Sequence, residues 1–136
     1  MSRLASCSCE KLCLVVGGEP YATVACHCTA CKKRTGSAFG VGVYFEKAVV
    51  TISGHATRFE RAVADRVFST FFCPNCGTSV YWETELHPSG MGIALGCFQT
   101  PDFVPDRSVW ESAKLDWIGL GSIAGHIEGG RSERIR

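Results

Sequence analysis

Short runs of alternating apolar and polar residues dominate the chain, and turn-forming residues separate them. Between residues 78 and 83, Val80 and Trp82 fall on one face of an extended segment, whereas Tyr81 and Glu83 fall on the other. Similar extended segments are predicted at residues 13–16, 21–27, 40–46, 48–52, 55–61, 65–72 and 92–98. No segment keeps apolar residues at helical spacing over about 11 positions. We therefore predict a mainly β fold with mostly antiparallel strands and little helix.

One short segment departs from this pattern. Residues 29–34 follow an extended run and precede Gly36, and glycine commonly ends a helix because it adopts left-handed backbone angles readily. These residues predict a single helical turn.

The length of 136 residues is that of one domain with a modest core. We predict that residues 1–120 form this single β domain. Residues 121–136 are rich in Gly, Ser and charge, and they predict a C-terminal extension that is partly flexible.

The composition also bears on partners and location. A formal net charge of +1 gives no electrostatic reason to expect nucleic acid or an anionic membrane as a partner. No apolar run approaches the roughly 18 residues that a membrane span needs, and residues 1–13 lack the apolar region of a signal peptide. We predict a cytoplasmic protein without a membrane span, while the sequence leaves its oligomeric state open.

Nine cysteines are many for a cytoplasmic domain of this size. A secreted disulfide framework usually has an even number of cysteines and an export signal, and neither is present. Metal binding in a reducing compartment explains the number better. With only four histidines, sulfur is expected to dominate the coordination.

Three of these cysteines lie within six residues, at Cys26, Cys28 and Cys31. Cys26 and Cys28 point to one side of an extended strand because side chains there repeat every second residue, and a tight turn brings Cys31 to the same point. Three converging thiolates suit a zinc ion with an open fourth position, which is typical of reactive sites.

A second interpretation makes the same three cysteines part of a closed structural site. The fourth ligand would then come from elsewhere, with Cys97 as the first candidate and His27 or His55 after it. Cys97 lies in an apolar segment, where a lone cysteine is more often a core residue, and Cys13 is interpreted in the same way.

The charge of the open site favours thiol chemistry. Zinc with three thiolates carries a net charge of −1, so its Lewis acidity is too weak for generating hydroxide but suits lowering the pKa of an added thiol. The adjacent cations Lys32, Lys33 and Arg34 could receive the carboxylates of an acidic thiol such as glutathione, or could be solvated surface residues.

Other neighbours of the site are weaker candidates for binding substrate. Backbone N–H groups of Thr35, Gly36 and Ser37 could contact the same ligand. Trp82 and Trp117 could wall the site, although aromatic residues in strands are more often core residues.

A further pair of cysteines, Cys73 and Cys76, flanks Pro74 and Asn75 in a sequence typical of a zinc knuckle. The following Gly77 can take the positive φ that such a turn needs. Cys7 and Cys9 form another Cys-x-Cys sequence and are the expected partners of this pair. The four cysteines together predict a closed structural zinc site.

These motifs, taken in order, resemble the glutathione-dependent formaldehyde-activating enzyme family, which includes centromere protein V. The matching stretches cover about residues 5–118, and Ser6 and Glu10 stand where the family often has Gly. The motifs are Cys7-x-Cys9, Cys26-His27-Cys28-x-x-Cys31, Thr35-Gly36-Ser37-Ala38-Phe39-Gly40 and Phe72-Cys73-Pro74-x-Cys76-Gly77-Thr78.

The resemblance implies a β-tent, a fold of several small antiparallel sheets pinned by zinc, and two zinc ions per chain. The structural zinc would lie on Cys7, Cys9, Cys73 and Cys76, and the functional zinc on Cys26, Cys28 and Cys31, through which catalysis would occur. The implied activity is that of a carbon–sulfur lyase that joins formaldehyde to glutathione as S-hydroxymethylglutathione. The partners would be a small thiol and its aldehyde adduct.

Two other functions stay open from the sequence. The first is a non-catalytic interaction module with two structural zinc ions, by analogy with centromere protein V. The second is zinc storage or redox sensing through the cysteines at residues 26–31, since zinc-bound thiolates can be oxidised and release the metal.

Overall fold

A computed structural model describes residues 2–63, 65–121 and 123–130. The chain forms two compact units. Unit 1 contains Met1–Tyr21 and Val43–Asp102, and unit 2 contains Ala22–Gly42 and Phe103–Arg136. The assignment of residues 1–120 to a single domain stays a prediction.

The mainly β prediction is confirmed. The strands that the described residues form are β1 Arg3–Ser6, β2 Cys13–Val16, β3 Ala22–Cys26, β4 Gly40–Glu46, β5 Val50–Ser53, β6 Thr57–Val63, β7 Arg66–Phe72, β8 Ser79–Thr84, β9 Gly90–Ala94, β10 Arg107–Val109 and β11 Gly125–His126. The helical segments of this part of the chain are α1 Thr29–Thr35 and the 3-10 turns Lys47–Val49, Leu95–Cys97 and Glu111–Ala113.

Unit 1 contains a three-stranded antiparallel sheet in the order β1-β2-β5. Leu14 and Val16 of β2 are fully buried, whereas Val15 between them is exposed, as the alternation of side chains along a strand requires. Residues 43–46 of β4 and the remaining strands of this unit lie in the order β4-β9-β8-β7-β6, and β6 to β9 pair as antiparallel neighbours. Phe45 and Ile93 are fully buried there.

Unit 2 departs from the antiparallel expectation. Strand β10 pairs in parallel with both β3 and β11. Parallel strands need a long connection, and the chain between β3 and β10 supplies one. Residues 123–130 of the predicted C-terminal extension take part in this unit, since Ile127 N–H donates to Ser108 O at 2.9 Å. Residues 131–136 of that extension lie outside the described residues.

The predicted helical turn is present as α1. It ends at Gly36, whose φ of 67° is left-handed and whose N–H donates to Lys32 O at 2.8 Å. Within the described ranges, no helix combines the length and apolar character needed to cross a bilayer.

The predicted strand over residues 92–98 is shorter than expected. It ends at Ala94, and Cys97 lies in the 3-10 turn that follows. Gly96 in this turn has no side chain to pack against neighbouring strands, which weakens an extended conformation.

Two residues other than glycine adopt left-handed backbone angles in the described part of the chain. Glu10 has φ 66° and Trp110 has φ 56°. For an L-residue this conformation costs roughly 1–2 kcal/mol because Cβ approaches the following carbonyl oxygen. Glu10 closes the turn that carries Cys7 and Cys9, and its N–H donates to Cys7 O at 3.1 Å.

Replacing Glu10 by glycine should raise the free energy of unfolding by about 0.5 kcal/mol. The change removes the left-handed penalty, and the greater freedom of glycine in the unfolded chain offsets part of the gain. Chemical denaturation of the metal-loaded protein measures this change in the free energy of unfolding. The control Lys11→Gly should lower stability, because Lys11 is not among the residues with positive φ. An equal loss in both variants would contradict this explanation.

Gly92 in β9 allows a close approach of two aromatic residues. A Cβ atom at this position would lie 2.8 Å from Tyr44 Cε1 and closer still to the Trp82 indole. The indole Nε1 donates to the Tyr44 hydroxyl at 3.1 Å, so neither ring can move away without breaking this contact.

We expect Gly92→Ala to lower the free energy of unfolding by about 2 kcal/mol, since extra volume in a packed core typically costs 1–3 kcal/mol. Thermal unfolding followed by circular dichroism measures the loss. Gly96→Ala is a matched control, because among the described residues no heavy atom beyond its two chain neighbours lies within 4 Å of the added Cβ. Similar stability of the two variants would show that the aromatic pair relaxes freely.

Candidate metal centres

The structure brings the cysteines together in the same two sets that their spacing predicts. Within each set, the sulfur atoms all lie within 4.8 Å of one another. Both sets suit a metal ion, and their identity as zinc ligands stays a prediction. The four-cysteine cluster consists of Cys7, Cys9, Cys73 and Cys76 in unit 1, and the three-cysteine cluster consists of Cys26, Cys28 and Cys31 in unit 2.

Two tight turns build the four-cysteine cluster. In the first, Cys7 N–H donates to Leu12 O at 3.0 Å, and in the second, Cys73 N–H donates to Thr78 O at 3.0 Å. The second turn contains Gly77 at φ 81°, the positive φ predicted from the sequence.

The spacing of these sulfurs fits zinc. Cys9 Sγ lies 3.6 Å from Cys7 Sγ and 3.7 Å from Cys73 Sγ. Zn–S bonds of about 2.3 Å in a tetrahedron place neighbouring sulfurs ~3.8 Å apart. Cys7 and Cys73 are buried, Cys9 is half-buried and Cys76 is exposed.

Several sulfurs of this cluster receive hydrogen bonds. Leu12 N–H donates to Cys7 Sγ at 3.3 Å, and Asn75 N–H donates to Cys73 Sγ at 3.4 Å. The hydroxyl of Thr78, followed by the backbone N–H groups of Thr78 and Cys9, lowers the pKa of Cys76 to about 5. Such donors stabilise negative charge on sulfur, which a metal ligand must carry.

The three-cysteine cluster lies between the end of β3 and the first turn of α1. Cys26 is the last residue of β3, and Cys28 is the N-cap of α1. The Cys28 sulfur accepts a hydrogen bond of 3.3 Å from Cys31 N–H, so the first helical turn brings the third sulfur alongside the first two. This arrangement agrees with the predicted strand and turn.

The three sulfurs are electrostatically coupled. Donation from the thiols of Cys26 and Cys31 lowers the pKa of Cys28 far below that of an ordinary thiol. The same contacts raise the pKa of Cys26, which donates to Cys28 and Cys31. The thiolate of Cys28 is therefore stabilised while ionisation of its neighbours is disfavoured. A cation held among the sulfurs would allow all three to ionise.

The three cations after Cys31 occupy different environments. Lys32 Nζ donates to Ala113 O, whereas Lys33 is exposed. Arg34 borders the cluster, since a Cβ at Gly40 would lie 2.7 Å from Arg34 Nη2 and 3.6 Å from Cys31 Cβ.

The next three candidates for substrate contact close the end of α1. Thr35 Oγ1 donates to Cys31 O at 2.9 Å and accepts from Ser37 N–H at 3.1 Å. Thr35, Gly36 and Ser37 are all exposed. Their contact with a ligand stays a prediction.

The candidates for a fourth ligand lie outside both sets of sulfurs that the described residues form. Cys97 Sγ lies 3.9 Å from Ser79 O in unit 1, and the possibility that it closes the second site stays a prediction. His27 is fully buried and hydrogen-bonded to Ser108, and His55 is exposed. Cys13, predicted to be a packing residue, donates to Glu10 O at 3.0 Å.

The two tryptophans named as possible walls of the site differ from each other. Trp82 is buried in β8, as expected for a core residue, and Trp117 is 76% exposed in a loop of unit 2.

The sequence did not reveal two hydrogen-bonded pairs of polar side chains in unit 2, one of which includes the histidine of the three-cysteine motif. His27 Nε2 lies 2.8 Å from Ser108 Oγ, and Glu111 Oε2 lies 2.7 Å from His126 Nδ1. Although burial opposes it, hydrogen bonds from His126 and Ser108 hold the pKa of Glu111 below its usual range. The only local signal was a histidine between two cysteines, since Ser108 is 81 residues further along the chain.

Comparison with solved structures supports the fold. The chain is similar to a Rhodobacter sphaeroides protein known from a crystal structure, with 14% identity and a TM-score of 0.58 over 90% of this chain and 98% of that chain. At this identity the likeness concerns the fold alone. No curated protein matches the sequence significantly.

Comparison with protein families identifies the chain more closely. Residues 2–113 match the family described as glutathione-dependent formaldehyde-activating enzyme, and this stretch contains both cysteine clusters. The chain therefore belongs to the glutathione-dependent formaldehyde-activating enzyme family.

Proposed function

We propose that this protein is a zinc-dependent carbon–sulfur lyase or synthase that acts on glutathione, or on a related thiol, and its formaldehyde adduct. The observation that carries the proposal is the cluster of three sulfurs at the start of α1, with Arg34 beside it. Membership of the family supports the substrate class.

Cys26, Cys28 and Cys31 would hold the functional zinc. The ion, when bound, supplies a positive centre that favours the thiolate form of an added thiol. Three protein thiolates reduce the charge of the site to −1 and leave a tetrahedral position for the sulfur of the substrate.

The proposed reaction joins a thiol to an aldehyde. A carbon–sulfur bond forms at the carbonyl carbon, and the proton of the thiol ends on the former carbonyl oxygen, so the product is a hydroxymethyl thioether. The reverse reaction breaks the same bond and returns the aldehyde and the thiol.

Nearby cations would bind the carboxylates of glutathione. Lys33 is exposed and Arg34 borders Cys31, so both are suitably placed for an anionic ligand. Lys32 is the weaker candidate, since its ammonium group donates to Ala113 O.

The four-cysteine cluster would hold a structural zinc. Its sulfurs come from two hydrogen-bonded turns, and two of them are buried. Four protein thiolates complete a tetrahedron, which leaves no position for substrate.

We expect two zinc ions per chain, and X-ray absorption should detect a rise from three to four sulfur ligands at the second zinc when glutathione is added. S-methylglutathione is the matched control, because it keeps the carboxylates and lacks the thiol. It should leave the sulfur count unchanged.

Two outcomes would contradict the proposal. Four sulfurs at both zinc ions before any thiol is added would mean that a protein group closes the second site, and a non-catalytic interaction module would explain the chain better. Two zinc ions with no response to glutathione would exclude thiol binding at the metal.

Single cysteine substitutions should separate the two clusters. Cys28→Ser should lose one zinc and reduce catalysed adduct formation to the spontaneous rate, while the chain stays folded because serine is itself a good N-cap. Cys73→Ser should lose the other zinc and several kcal/mol of folding free energy, since metal binding contributes directly to folding. Metal analysis, thermal unfolding and NMR exchange measurements of the adduct test these outcomes.

Cys13→Ser is the control for both variants, because Cys13 belongs to neither cluster among the described residues. It should keep two zinc ions and full activity. Unchanged catalysis in Cys28→Ser would contradict the assignment of the reaction to the three-cysteine cluster.

A further inference from the structure

One segment of unit 2, residues 108–113, holds the three-cysteine motif through several contacts. His27 N–H donates to Val109 O at 3.1 Å, and His27 Nε2 lies 2.8 Å from Ser108 Oγ. Further along the motif, Lys32 Nζ donates to Ala113 O. Because His27 stands between Cys26 and Cys28, the contacts of its backbone and ring restrain both neighbouring cysteines.

The direction of the hydrogen bonds follows from the chemistry of the partners. Glu111 is a carboxylate, and its Oε2 accepts a hydrogen bond of 2.7 Å from His126 Nδ1. Because His27 Nδ1 has no partner among the described residues, a proton there would be buried and unpaired, so the proton of the neutral imidazole lies on Nε2 and is donated to Ser108 Oγ. The proton of the Ser108 hydroxyl is then left for the Glu111 carboxylate, in line with the lowered pKa of Glu111. Ser108 thus sets the tautomer and the orientation of the imidazole, and Glu111 would orient Ser108.

The histidine is costly at this position. His27 is fully buried, and its Nδ1 has no hydrogen-bond partner among the described residues. An unpaired buried polar atom loses its hydration without compensation, and an apolar side chain of similar size would avoid this cost. Packing alone therefore does not account for the imidazole, whereas its contact with Ser108 does.

The backbone of this segment is also strained. Trp110 adopts left-handed angles, with φ 56° and ψ 40°, at the start of the turn Glu111–Ala113. Two hydrogen bonds hold the strained turn, from Trp110 N–H to Gly129 O at 2.8 Å and from Glu111 N–H to Ile127 O at 3.0 Å. Such strain persists where the surrounding structure enforces it, often at functional sites.

We propose that Ser108 and Glu111 are positioning residues of the three-cysteine metal centre. They act through His27 to hold Cys26 and Cys28 in the geometry that binds the metal. None of the three is a ligand in this proposal. The inference rests on the proposed function only in requiring a metal at this cluster, and outer partners of this kind typically change metal affinity 10- to 100-fold.

Cobalt(II) titration of the full chain tests the proposal, because thiolate-to-cobalt absorption bands report both affinity and geometry. Cys28→Ser should bind cobalt only at the four-cysteine cluster, so its absorption bands identify those of that cluster. Ser108→Ala should weaken cobalt binding at the three-cysteine cluster about 10- to 100-fold and change its ligand-field bands. Binding at the four-cysteine cluster should stay within roughly two-fold, because Ser108 is not part of unit 1.

Ser69→Ala is the matched control. Ser69 is likewise a buried serine in a strand, and its hydroxyl accepts a hydrogen bond of 3.1 Å from Arg58 Nε. It belongs to unit 1 and lies outside the three-cysteine cluster. Equal cobalt affinities and identical spectra for Ser108→Ala and wild type would overturn the proposal. Equal losses at both clusters in Ser108→Ala would also overturn it, because they would indicate a general loss of structure.

A double-mutant cycle tests whether Glu111 acts through Ser108. Glu111→Ala alone should weaken cobalt binding at the three-cysteine cluster, but it should add little to the effect of Ser108→Ala. Fully additive losses would overturn the proposed order of action.

The wild-type titration distinguishes this inference from the proposed function. Two cobalt ions in wild type, with affinities unaffected by the substitutions, would remove only the positioning role. A single cobalt ion in wild type, bound at the four-cysteine cluster, would overturn both. Loss of cobalt affinity in the variants, with no thiol chemistry in wild type, would support the positioning role and exclude the enzyme.

Discussion

Convergence of four sulfurs is the constraint on which unit 1 depends most. Cys9 and Cys73 are 64 residues apart in the chain, and closing a loop of this length costs roughly 4 kcal/mol of entropy. Contacts between Ser8 and Thr78 join the two turns at 3.1 Å, but one or two such hydrogen bonds contribute only about 1 kcal/mol each. A shared cation would contribute far more than these contacts, and it would remove the repulsion between thiolates.

The two clusters use the same ligand atom in different structural settings. Turns with their own internal hydrogen bonds present the sulfurs of the four-cysteine cluster, so its geometry is defined locally. The three-cysteine cluster depends on a helix of seven residues and on a distant segment that holds His27. The first cluster is therefore defined within two turns, whereas the second also needs a contact between residues 81 positions apart.

Local sequence patterns predicted the parts of the molecule that depend on neighbouring residues. The cysteine spacing, the turn at Gly77 and the helical turn ended by Gly36 belong to this class. Parallel pairing of β3 with β10 could not be predicted, because it joins segments separated by most of the chain. Ser108 and Glu111 were not identified from the sequence for the same reason. The left-handed angles of Trp110 could not be predicted either, because tryptophan has no preference for them.

The order of segments in unit 2 has a consequence for protein synthesis. The three thiols emerge from the ribosome long before Ser108, which follows His27 by 81 residues. At about 5–20 residues per second, this interval lasts roughly 4–16 s. During that time the nascent chain presents adjacent reactive thiols without their supporting segment. Oxidative stress should therefore damage newly translated molecules more readily than mature ones.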